Sequence, residues 1–580
     1  MSRKMITVSR EQLTSLNLEA FVAQAAVLNQ RNREAWTTPF PKAPERWLSR
    51  YQFMPRSIAF TSEGEVEGGL SWLIGATFDL SFTRSICAPK YGARGGHCYD
   101  PVSLVVLEVA AKVDQYVDYA SFCLDLRQQD KGRRYRELAG LHTAIPGEDD
   151  LSHFRSRIGT EAIETTMGQL VGFFRDFGLI KGDIIATDGQ LEPSYARFKG
   201  CAYACKDCRE LPVDEANRQE LGRQLQSGAK RLKLTCPFPD VVDKVLQATA
   251  KKGTPKEPEV ALLEIEYAPQ TPASLRQRRQ VAALLGVPEQ DVPTLHVKWS
   301  HLEQSPQGEL FGSCPKIPSD LEAGVGYHID TKNPSKTERV FGYLHQKTTD
   351  INSELGLELP LGNSTYAGNA NEATEFIQHR ATVALPVEPG QVQINDAGYD
   401  STAIYTALHD QGAIPVIAYN RRNENLDPEA LLERGYDQNG TPYAPCGRLC
   451  HSNGYDYQAG SRQYACGRRC PPEEQEHCPH RYGVLGYSHR MSFADYPRLI
   501  GPIQRGSPLW KRIYAIRTSS ERTNSYDQEV IAKSAASKLR GLAAFRFAGI
   551  IRTLAQLLRR TCNFVLDVTY TLGKLQPLRT

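Results

Sequence analysis

Three acidic side chains occupy positions from which carboxylates can bind a divalent metal ion. Asp188 and Asp396 each end a hydrophobic run typical of a β-strand, and Glu521 lies where an amphipathic helix begins. Mg²⁺ is a hard ion that takes oxygen ligands. Carboxylates at the ends of adjacent strands can converge however far apart they lie in sequence. The sequence therefore predicts a magnesium-binding set made of Asp188, Asp396 and Glu521.

The surroundings of Glu521 are strongly basic. Residues 497–560 contain thirteen Lys and Arg but three Asp and Glu, whereas the whole chain has a net charge of only +3. A local excess of positive charge indicates an anionic partner at this part of the chain. Two interpretations of Glu521 stay open here. It is either the ion-pair partner of Arg517 or Arg522, or a metal ligand beside a bound polyanion.

Each aspartate taken alone has a simpler explanation. Asp188 is compatible with a strand-end turn, and Asp396 with an Asx turn before Gly398. Asp400 is a weaker rival to Asp396, and we interpret it as the cap of the helix that starts at Ser401. The metal interpretation therefore depends on the three acids being taken together.

Cysteines form a second group with metal-ligand spacing. Two close pairs lie between the second and third acids, with Cys478 and His480 after them: Cys446, Cys450, Cys466 and Cys470. This spacing is typical of a structural zinc site, and the alternative is a set of unrelated buried thiols. A third cluster supports zinc and plain thiols equally, with Cys236 as a candidate fourth ligand: Cys201, Cys205 and Cys208.

The remaining composition narrows the class of protein. The chain has 580 residues and 41% hydrophobic residues, enough for several buried cores. It contains no apolar run of about 18 residues, so no membrane span is expected. Fourteen cysteines without an apolar N-terminal segment indicate a reducing compartment, where clustered cysteines bind metal more often than they form disulfides.

Helical patterns dominate the first third of the chain. Residues 11–31 have the spacing of one helix, and Asp100-Pro101 opens another that runs to about residue 112. A further helix is expected at 150–158, capped by Asp149 or Asp150. Short helices in series that carry arginines suit either a helix-turn-helix-like DNA-binding unit or a plain helical packing domain: Arg133, Arg134, Arg155 and Arg157.

Strands alternate with helices from residue 181 onward, which predicts an α/β arrangement with a mixed sheet. A helix beyond residue 533 has an apolar face that is more typical of a core than of a partner interface. Its arginines either line DNA or form a solvated face: Arg540, Arg546, Arg552, Arg559 and Arg560.

Two motifs carry a resemblance to a known family. Tyr514, Arg517 and Glu521 fit the pattern Y-x2-R-x3-E-x6-K, with Gln528 at the Lys position and Lys533 further along the chain. The stretch DAGYDS at residues 396–401 matches a D-x-G-Y-[DS] step. On these residues the chain resembles bacterial insertion-sequence DDE transposases with a ribonuclease-H-like catalytic core, over roughly residues 95–550.

The resemblance implies a fold and a division of the chain. It implies an α/β protein whose ribonuclease-H-like mixed sheet is flanked by helices, interrupted by insertions and preceded by an α-helical DNA-binding domain. The expected regions are 1–98 without a clear assignment, 99–180 helical and DNA-binding, 181–545 catalytic, and 546–580 a helical tail. The catalytic region contains an insertion at 195–325 and a cysteine-rich, zinc-binding one at 436–482.

The resemblance also implies an activity. The chain is expected to cut and join DNA with Mg²⁺ or Mn²⁺ held by Asp188, Asp396 and Glu521. Four residues are expected at the DNA phosphates: Tyr514, Arg517, Arg522 and Lys533. The expected partners are the terminal inverted repeats, target DNA and a second copy of the chain, in a bacterial cytoplasm and away from membranes. Two alternatives remain: a metal-dependent nuclease on the same fold, and a non-catalytic, transposase-derived DNA-binding protein.

Overall fold

The computed structural model describes residues 9–196, 231–235, 262–267, 295–304, 310–316, 320, 322–328, 337–421, 424–467, 471–480, 485–532 and 538–575. Its first part is helical, and its helices are α1 (Arg10–Ser15), α2 (Leu18–Ala35), α3 (Gly69–Thr77), α4 (Thr83–Cys87), α5 (Pro101–Val113), α6 (Tyr119–Arg127), α7 (Arg133–Ala139), α8 (Glu148–Ile158) and α9 (Glu161–Asp176). Helices α3, α4, α7 and α8 pack around α5, every residue of which is buried.

Helix α5 begins where the sequence predicts. The Asp100 side chain accepts a hydrogen bond from the Val102 amide at 3.1 Å, and Pro101 occupies the first turn, where its missing N–H costs nothing. Asp100 is itself fully buried and pairs with Arg84 at 2.6 Å. A cap residue thereby also joins α4 to α5.

Two helix predictions in this region are wrong in detail. The single helix expected at residues 11–31 is broken into α1 and α2, because the Asn17 side chain accepts from the Ala20 amide and starts a new helix. Helix α8 begins at Glu148 after Gly147 rather than after an aspartate cap. Asp150 lies inside its first turn and accepts from the Gly147 amide at 2.9 Å.

A mixed sheet follows the helical part. Its strands are β1 (Ile184–Pro193), β6 (Gly324–His328), β7 (Glu338–Asn352), β8 (Leu357–Ala367), β9 (Val392–Asn395) and β10 (Ile414–Ile417). Strands β1, β9 and β10 are parallel neighbours, whereas β7 runs antiparallel to β1 and pairs on with β6 and β8. The expected mixed α/β architecture, a sheet flanked by helices, is confirmed.

The helices of this part are α10 (Glu372–Thr382), α11 (Thr402–Asp410), α12 (Pro428–Arg434), α13 (Pro472–Glu476), α14 (Pro508–Ala515), α15 (Thr518–Tyr526) and α16 (Leu542–Leu575). Helices α10, α11, α14, α15 and α16 pack on strands of the sheet. The register puts Asp188 opposite Lys347, on the face that contacts α15 and the residues after it, and Gly189 opposite Gln346, on the face that contacts α10. The two helices therefore lie on opposite faces of β1 and β7.

Helix α16 joins the two ends of the chain. It packs on β8 and on α2, α3, α5, α8 and α9, and Phe547, Ile551 and Val565 belong to the same buried core as Phe21. None of the described helices is long and apolar enough to cross a membrane.

Two smaller antiparallel sheets lie in the predicted insertions. The first, within 195–325, consists of β2 (Arg231–Thr235), β3 (Leu262–Tyr267), β4 (Leu295–Gln304) and β5 (Leu310–Lys316). The second consists of β11 (His451–Asp456), β12 (Ser461–Ala465) and β13 (Ser488–Ser492), and its core includes Cys450, Tyr464 and Met491. The second sheet extends past residue 482, the predicted end of the cysteine-rich insertion.

Candidate active site

The parallel pairing of β1 with β9 brings Asp188 and Asp396 to equivalent positions. Ala186 is in register with Ile394, and each aspartate lies two residues further along its own strand direction. Asp396 follows the last residue of β9, and its carboxylate accepts from the Gly398 amide at 2.8 Å. The simple Asx-turn interpretation of Asp396 is thus correct as far as it goes, and it fixes this carboxylate at the edge of β9.

Asp188 does not end its strand, contrary to the sequence interpretation. Strand β1 continues to Pro193 because antiparallel β7 remains paired with it as far as Gly342. Asp188 instead lies two residues beyond the last registered β1–β9 pair, where the edge of β1 that faced β9 becomes free. Asp188, inside β1, thereby lies level with Asp396, which follows the end of β9.

Helix α15 brings the third acid across this face of the sheet. Asn524 donates to the Asp188 carboxylate at 3.1 Å, and Glu521 lies one turn earlier on the same helix. Glu521 pairs with Arg517 at 2.6 Å, and its side chain remains 48% exposed. The ion-pair interpretation of Glu521 therefore describes this conformation.

The charges of these residues influence one another. Burial first, and then the neighbouring Asp396 charge, raises the pKa of Asp188 to about 7, and Glu521 adds to this rise while Arg517 opposes it. Burial also raises the pKa of Asp396, against hydrogen bonding from Gly398 and the charge of Arg517. Within the part of the chain that the structure describes, the site is a group of acids whose negative charges are not matched by the Arg517 guanidinium beside them.

A fourth acid, Glu372, belongs to this group and was missed from the sequence. It is the first residue of α10, directly after the Asn371 cap, and acids are common at that position because they favour the helix dipole. Burial, Asp396 and Asp188, in that order, raise the pKa of Glu372 to about 7. The sequence contained no signal that distinguished this glutamate from an ordinary first-turn acid.

The donor set fits a hard divalent cation. Carboxylates without matching positive charge favour the binding of such a cation. The amide oxygen of Asn524, a residue only 7% exposed, has no hydrogen-bond partner among the described residues. Within those same residues, no three Asp, Glu, His or Cys side chains already stand as a ready-made ligand group. Glu521 is engaged by Arg517, and the other three acids do not form such a group in this conformation either, so a shared cation requires their side chains to shift.

The predicted phosphate-binding residues divide into two groups. Tyr514 stacks on Trp510 with ring centres 4.6 Å apart, and the Arg517 guanidinium lies 5.8 Å from the Tyr514 ring centre, beside the acids. Arg522 is turned away from them and pairs with Glu358. Lys533 lies outside the described residues.

Several basic residues considered for DNA contact serve the fold instead. Arg552 is 3% exposed and pairs with Glu192 inside the protein, so both interpretations offered for it are wrong. Arg559 donates to the Val113 carbonyl and Arg560 to the Glu358 carboxylate. Their partners are distant in sequence, which is why helical spacing gave no indication of burial.

Asp400 also differs from its interpretation as a helix cap. Its carboxylate is fully buried and pairs with Arg498 at 2.6 Å and Arg505 at 3.3 Å, while the Asn420 amide donates to it at 2.9 Å. Ser401 is the N-cap of α11, and Asp400 joins the sheet to the segment after β13.

Three of the four predicted zinc ligands are described, as free cysteines that do not stand as a ready-made three-ligand group in this conformation. Cys446 and Cys466 are each followed by a glycine in the left-handed region, Gly447 at φ 77° and Gly467 at φ 61°, so each cysteine sits in a tight turn. The Cys466 sulfur accepts from the Tyr487 amide at 3.2 Å.

Cys450 lies near both of these cysteines. Burial, and then the neighbouring Cys466 and Cys446 thiols, raises the pKa of Cys450 to about 11. Cys446, Cys466 and Cys478 line one cleft with His477 and His480. Cys470, Cys201, Cys205, Cys208 and Cys236 lie outside the described residues.

Comparison with known proteins adds no name to this site. No protein-family model matches the chain, and no curated protein and no solved structure matches it. What the fold and site define by themselves is a mixed α/β protein in which four acids from two neighbouring strands and two helices influence one another's charge.

Proposed function

We propose that this chain is a DDE-type DNA transposase with a ribonuclease-H-like catalytic core, which cleaves DNA at the ends of an insertion sequence and joins those ends to a target. The observation that carries the proposal is the level placement of Asp188 and Asp396 on adjacent parallel strands, with the helix of Glu521 lying across β1. Three acids far apart in sequence are gathered in the order that the transposase motifs require.

The chemistry accounts for the need for acids. Attack on a DNA phosphodiester, by water or by a 3′-hydroxyl, builds negative charge on the entering and leaving oxygens. Two Mg²⁺ or Mn²⁺ ions about 3.5–4 Å apart neutralise that charge when bound. Asp188, Asp396 and Glu521 would hold them.

Arg517 is the residue of this site best suited to a DNA phosphate. A guanidinium binds phosphate through two parallel hydrogen bonds. Its present partner Glu521 is half exposed, and such i,i+4 pairs contribute only about 0.3–0.5 kcal/mol. A phosphate can therefore displace Glu521 at little cost and free its carboxylate for a metal ion, while Tyr514 keeps the guanidinium beside the acids.

DNA recognition is assigned to the helical region. Residues 99–180 would bind the terminal repeats, and two copies of the chain would act together on two ends. Arg155 is a poor candidate for this contact because it lies over the Tyr119 ring at 4.0 Å, 3.7 Å from Glu108. Arg133, whose side chain is 77% exposed, is a better one.

A structural zinc ion is the second part of the proposal. Cys446, Cys450 and Cys466 would supply three of the ligands, since Cys450 is near enough for both other thiols to act on its pKa, and Cys470 is expected to complete the set. Zinc bound there would add to the small apolar core around Tyr464 and Met491, since structural zinc sites contribute directly to folding free energy.

The main test separates binding from chemistry. Glu521→Gln keeps the shape of the side chain and removes one negative charge, so cleavage should fall at least about 100-fold, since metal ions supply several kcal/mol. DNA affinity should stay similar or rise slightly, because it comes mostly from phosphate contacts. Glu529→Gln, an exposed acid on the following segment, is the matched control and should cleave normally.

Three measurements on one preparation decide the outcome: nicking rate, affinity for the element end, and melting temperature. If Glu521 is only the partner of Arg517, the variant should lose stability and keep cleavage in proportion to folded protein. Full cleavage by a stably folded Glu521→Gln would remove the catalytic assignment. Strand transfer from pre-cleaved ends then distinguishes a transposase from a nuclease, which would hydrolyse DNA without joining it.

Metal analysis tests the zinc site. Purified protein should contain zinc, and Cys446→Ser should release it and loosen residues 436–482. Cys562→Ser, a buried cysteine of α16 far from the cleft in sequence, is the control and should leave zinc content unchanged. Wild-type protein without zinc, and with freely reactive thiols at these positions, would contradict the assignment.

A further inference from the structure

The carboxylate of Glu372 is held against the backbone of β1 at Gly189, the residue after Asp188. A Cβ atom placed on Gly189 would lie 2.3 Å from one Glu372 carboxylate oxygen and 2.8 Å from the other. Separations this short do not occur, so any larger residue at 189 would expel Glu372. The Gly189 backbone lies outside the left-handed region. Glycine after Asp188 therefore provides space for this carboxylate rather than a special chain conformation.

Two further residues, Tyr399 and Gln346, hold Glu372 in place. Tyr399, which is fully buried three residues after Asp396, hydrogen-bonds the Glu372 carboxylate. Gln346 donates from one amide nitrogen to the Tyr399 hydroxyl and to the Glu372 carbonyl, both at 3.0 Å. The tyrosine of the DAGYDS stretch thus positions a fourth acid, a role its sequence pattern does not reveal.

Helix capping does not account for this arrangement. An acid in a first turn needs only to lie near the free amides, where it contributes about 0.3–1 kcal/mol in the exposed case. Glu372 instead points at β1, where the charges that act on it come from Asp396 and Asp188, both acidic. An arrangement that crowds three acids is unfavourable unless a cation joins them.

Asn524 is a separate sign of a ligand at this place. Its amide nitrogen donates to Asp188 at 3.1 Å, and its amide oxygen, in a residue 7% exposed, has no partner among the described residues. A buried amide oxygen without a donor is costly. A cation, or a water molecule bound to one, would satisfy it.

Glu372 and Glu521 differ in how free their carboxylates are to bind a cation. Glu372 is already held at Gly189 and hydrogen-bonded by Tyr399, whereas Glu521 is half exposed and bound to Arg517. We propose that Glu372, with Asp188 and Asp396, forms the divalent-cation site of the DNA-free protein, and that Glu521 joins it only when a DNA phosphate occupies Arg517. Only the second half of this inference, that Glu521 joins when DNA binds, rests on the proposed function.

The test measures Mn²⁺ binding to the full-length protein without DNA. Glu372→Gln should weaken the affinity about tenfold or more, because the charge of the ligand set controls divalent affinity. Glu375→Gln, the next acid on α10, is the matched control and should bind as wild type. Glu521→Gln should weaken binding only after duplex DNA with an element end is added.

Two variants that keep all four acids make the test independent of charge removal. Gly189→Ala should displace Glu372 and reproduce the loss seen for Glu372→Gln. Tyr399→Phe should cause a smaller loss, because the acid stays but its hydrogen bond is gone. Melting temperatures establish that each variant is folded, and if Glu372→Gln does not fold, Tyr399→Phe decides.

The inference is overturned if Glu372→Gln or, in its place, Tyr399→Phe binds Mn²⁺ as wild type does. It is also overturned if Glu521→Gln alone weakens binding without DNA. Neither outcome bears on strand transfer, so the proposed function would survive them. Conversely, weak Mn²⁺ binding by Glu372→Gln would stand even if the chain proved unable to join DNA.

Discussion

Strand β1 carries two acids on one face, the partly exposed Asp188 and the fully buried Glu192, and their surroundings are opposite in charge. Residues alternate between the faces of a strand, so Asp188 and Glu192 both face the side covered by α15 and α16. Asp188 meets other acids. Glu192 meets Arg552 and His345, and although burial opposes the effect, these contacts hold the pKa of Glu192 well below its usual range.

The surroundings of Glu192 form a closed ion network. Lys347 pairs with Asp527 at 3.0 Å, and Asp527 lies 3.3 Å from Arg552, which also pairs with Glu192. Two acids and two basic residues balance there without any outside group. Among the described residues, the acids around Asp188 have one guanidinium, that of Arg517, acting on them. The difference is between buried charges that the fold itself balances and acids that it leaves without matching positive charge.

The largest expected effect falls on the acid group. Asp396→Asn should reduce DNA cleavage about 1000-fold, because loss of metal-ion stabilisation worth several kcal/mol corresponds to such a factor. Steady-state nicking with Mg²⁺ measures it. Asp410→Asn, an acid with a 69% exposed side chain at the end of α11, is the control and should cleave normally. Normal cleavage by Asp396→Asn would make the acid group structural, like the network.

The second effect falls on the network. Lys347→Met leaves the Asp527 charge buried with less compensation, and removing one partner of a buried pair costs about 3–5 kcal/mol. Urea unfolding measures it. Adding Asp527→Leu should recover much of the loss, because replacing both partners by apolar residues is often neutral.

The exposed pair Lys181–Glu354 is the matched control for that experiment. Its side chains are 35% and 59% exposed, so Lys181→Met should cost less than about 1 kcal/mol. If Lys347→Met costs no more than this control, the contrast between the two regions disappears.

The sequence predicted local features well. The start of α5 at Asp100-Pro101 and the strand before Asp396 both depend on residues a few positions apart. The acids at 188, 396 and 521 could be named because strand patterns and motif spacing are also local, and their role as metal ligands stays a prediction. The mixed sheet followed from the alternation of such elements.

The errors concern residues whose surroundings come from distant parts of the chain. Arg552 is buried because Glu192, 360 residues away, accepts its hydrogen bonds. Asp188 lies inside a strand because β7 stays paired beyond it. Glu372 looked like an ordinary first-turn acid until the contact with Gly189 was known. Helical and strand periodicities contain no information about any of these partners.

The smallest expected effect is a shift in melting temperature. Replacing either acid of β1 by its amide, Asp188→Asn or Glu192→Gln, should shift it in opposite directions. The pKa of Asp188 rises from its usual 3.8 to about 7 on folding. A raised pKa means that the folded state holds the proton more tightly, so its stabilising effect is complete below about pH 4 and is lost as pH rises through 7. Asp188→Asn should therefore melt higher than wild type at pH 8, by about 2–4 °C for each kcal/mol relieved in a domain of 150–250 residues. The difference should shrink toward zero near pH 4.

Glu192→Gln is the matched arm, and its expected sign is reversed. Its carboxylate is stabilised when charged, so the variant should melt lower than wild type at pH 8, where that charge is present in both the folded and unfolded states. Mg²⁺ sharpens the comparison. A cation that binds only the folded state raises its stability by RT ln(1 + [L]/Kd), so Mg²⁺ should raise the melting temperature of wild type and of Glu192→Gln but not of Asp188→Asn. If Asp188→Asn melts lower than wild type at pH 8 without metal, Asp188 is a paired structural acid like Glu192. In that case the repulsion among Asp188, Asp396 and Glu372 does not mark a cation site.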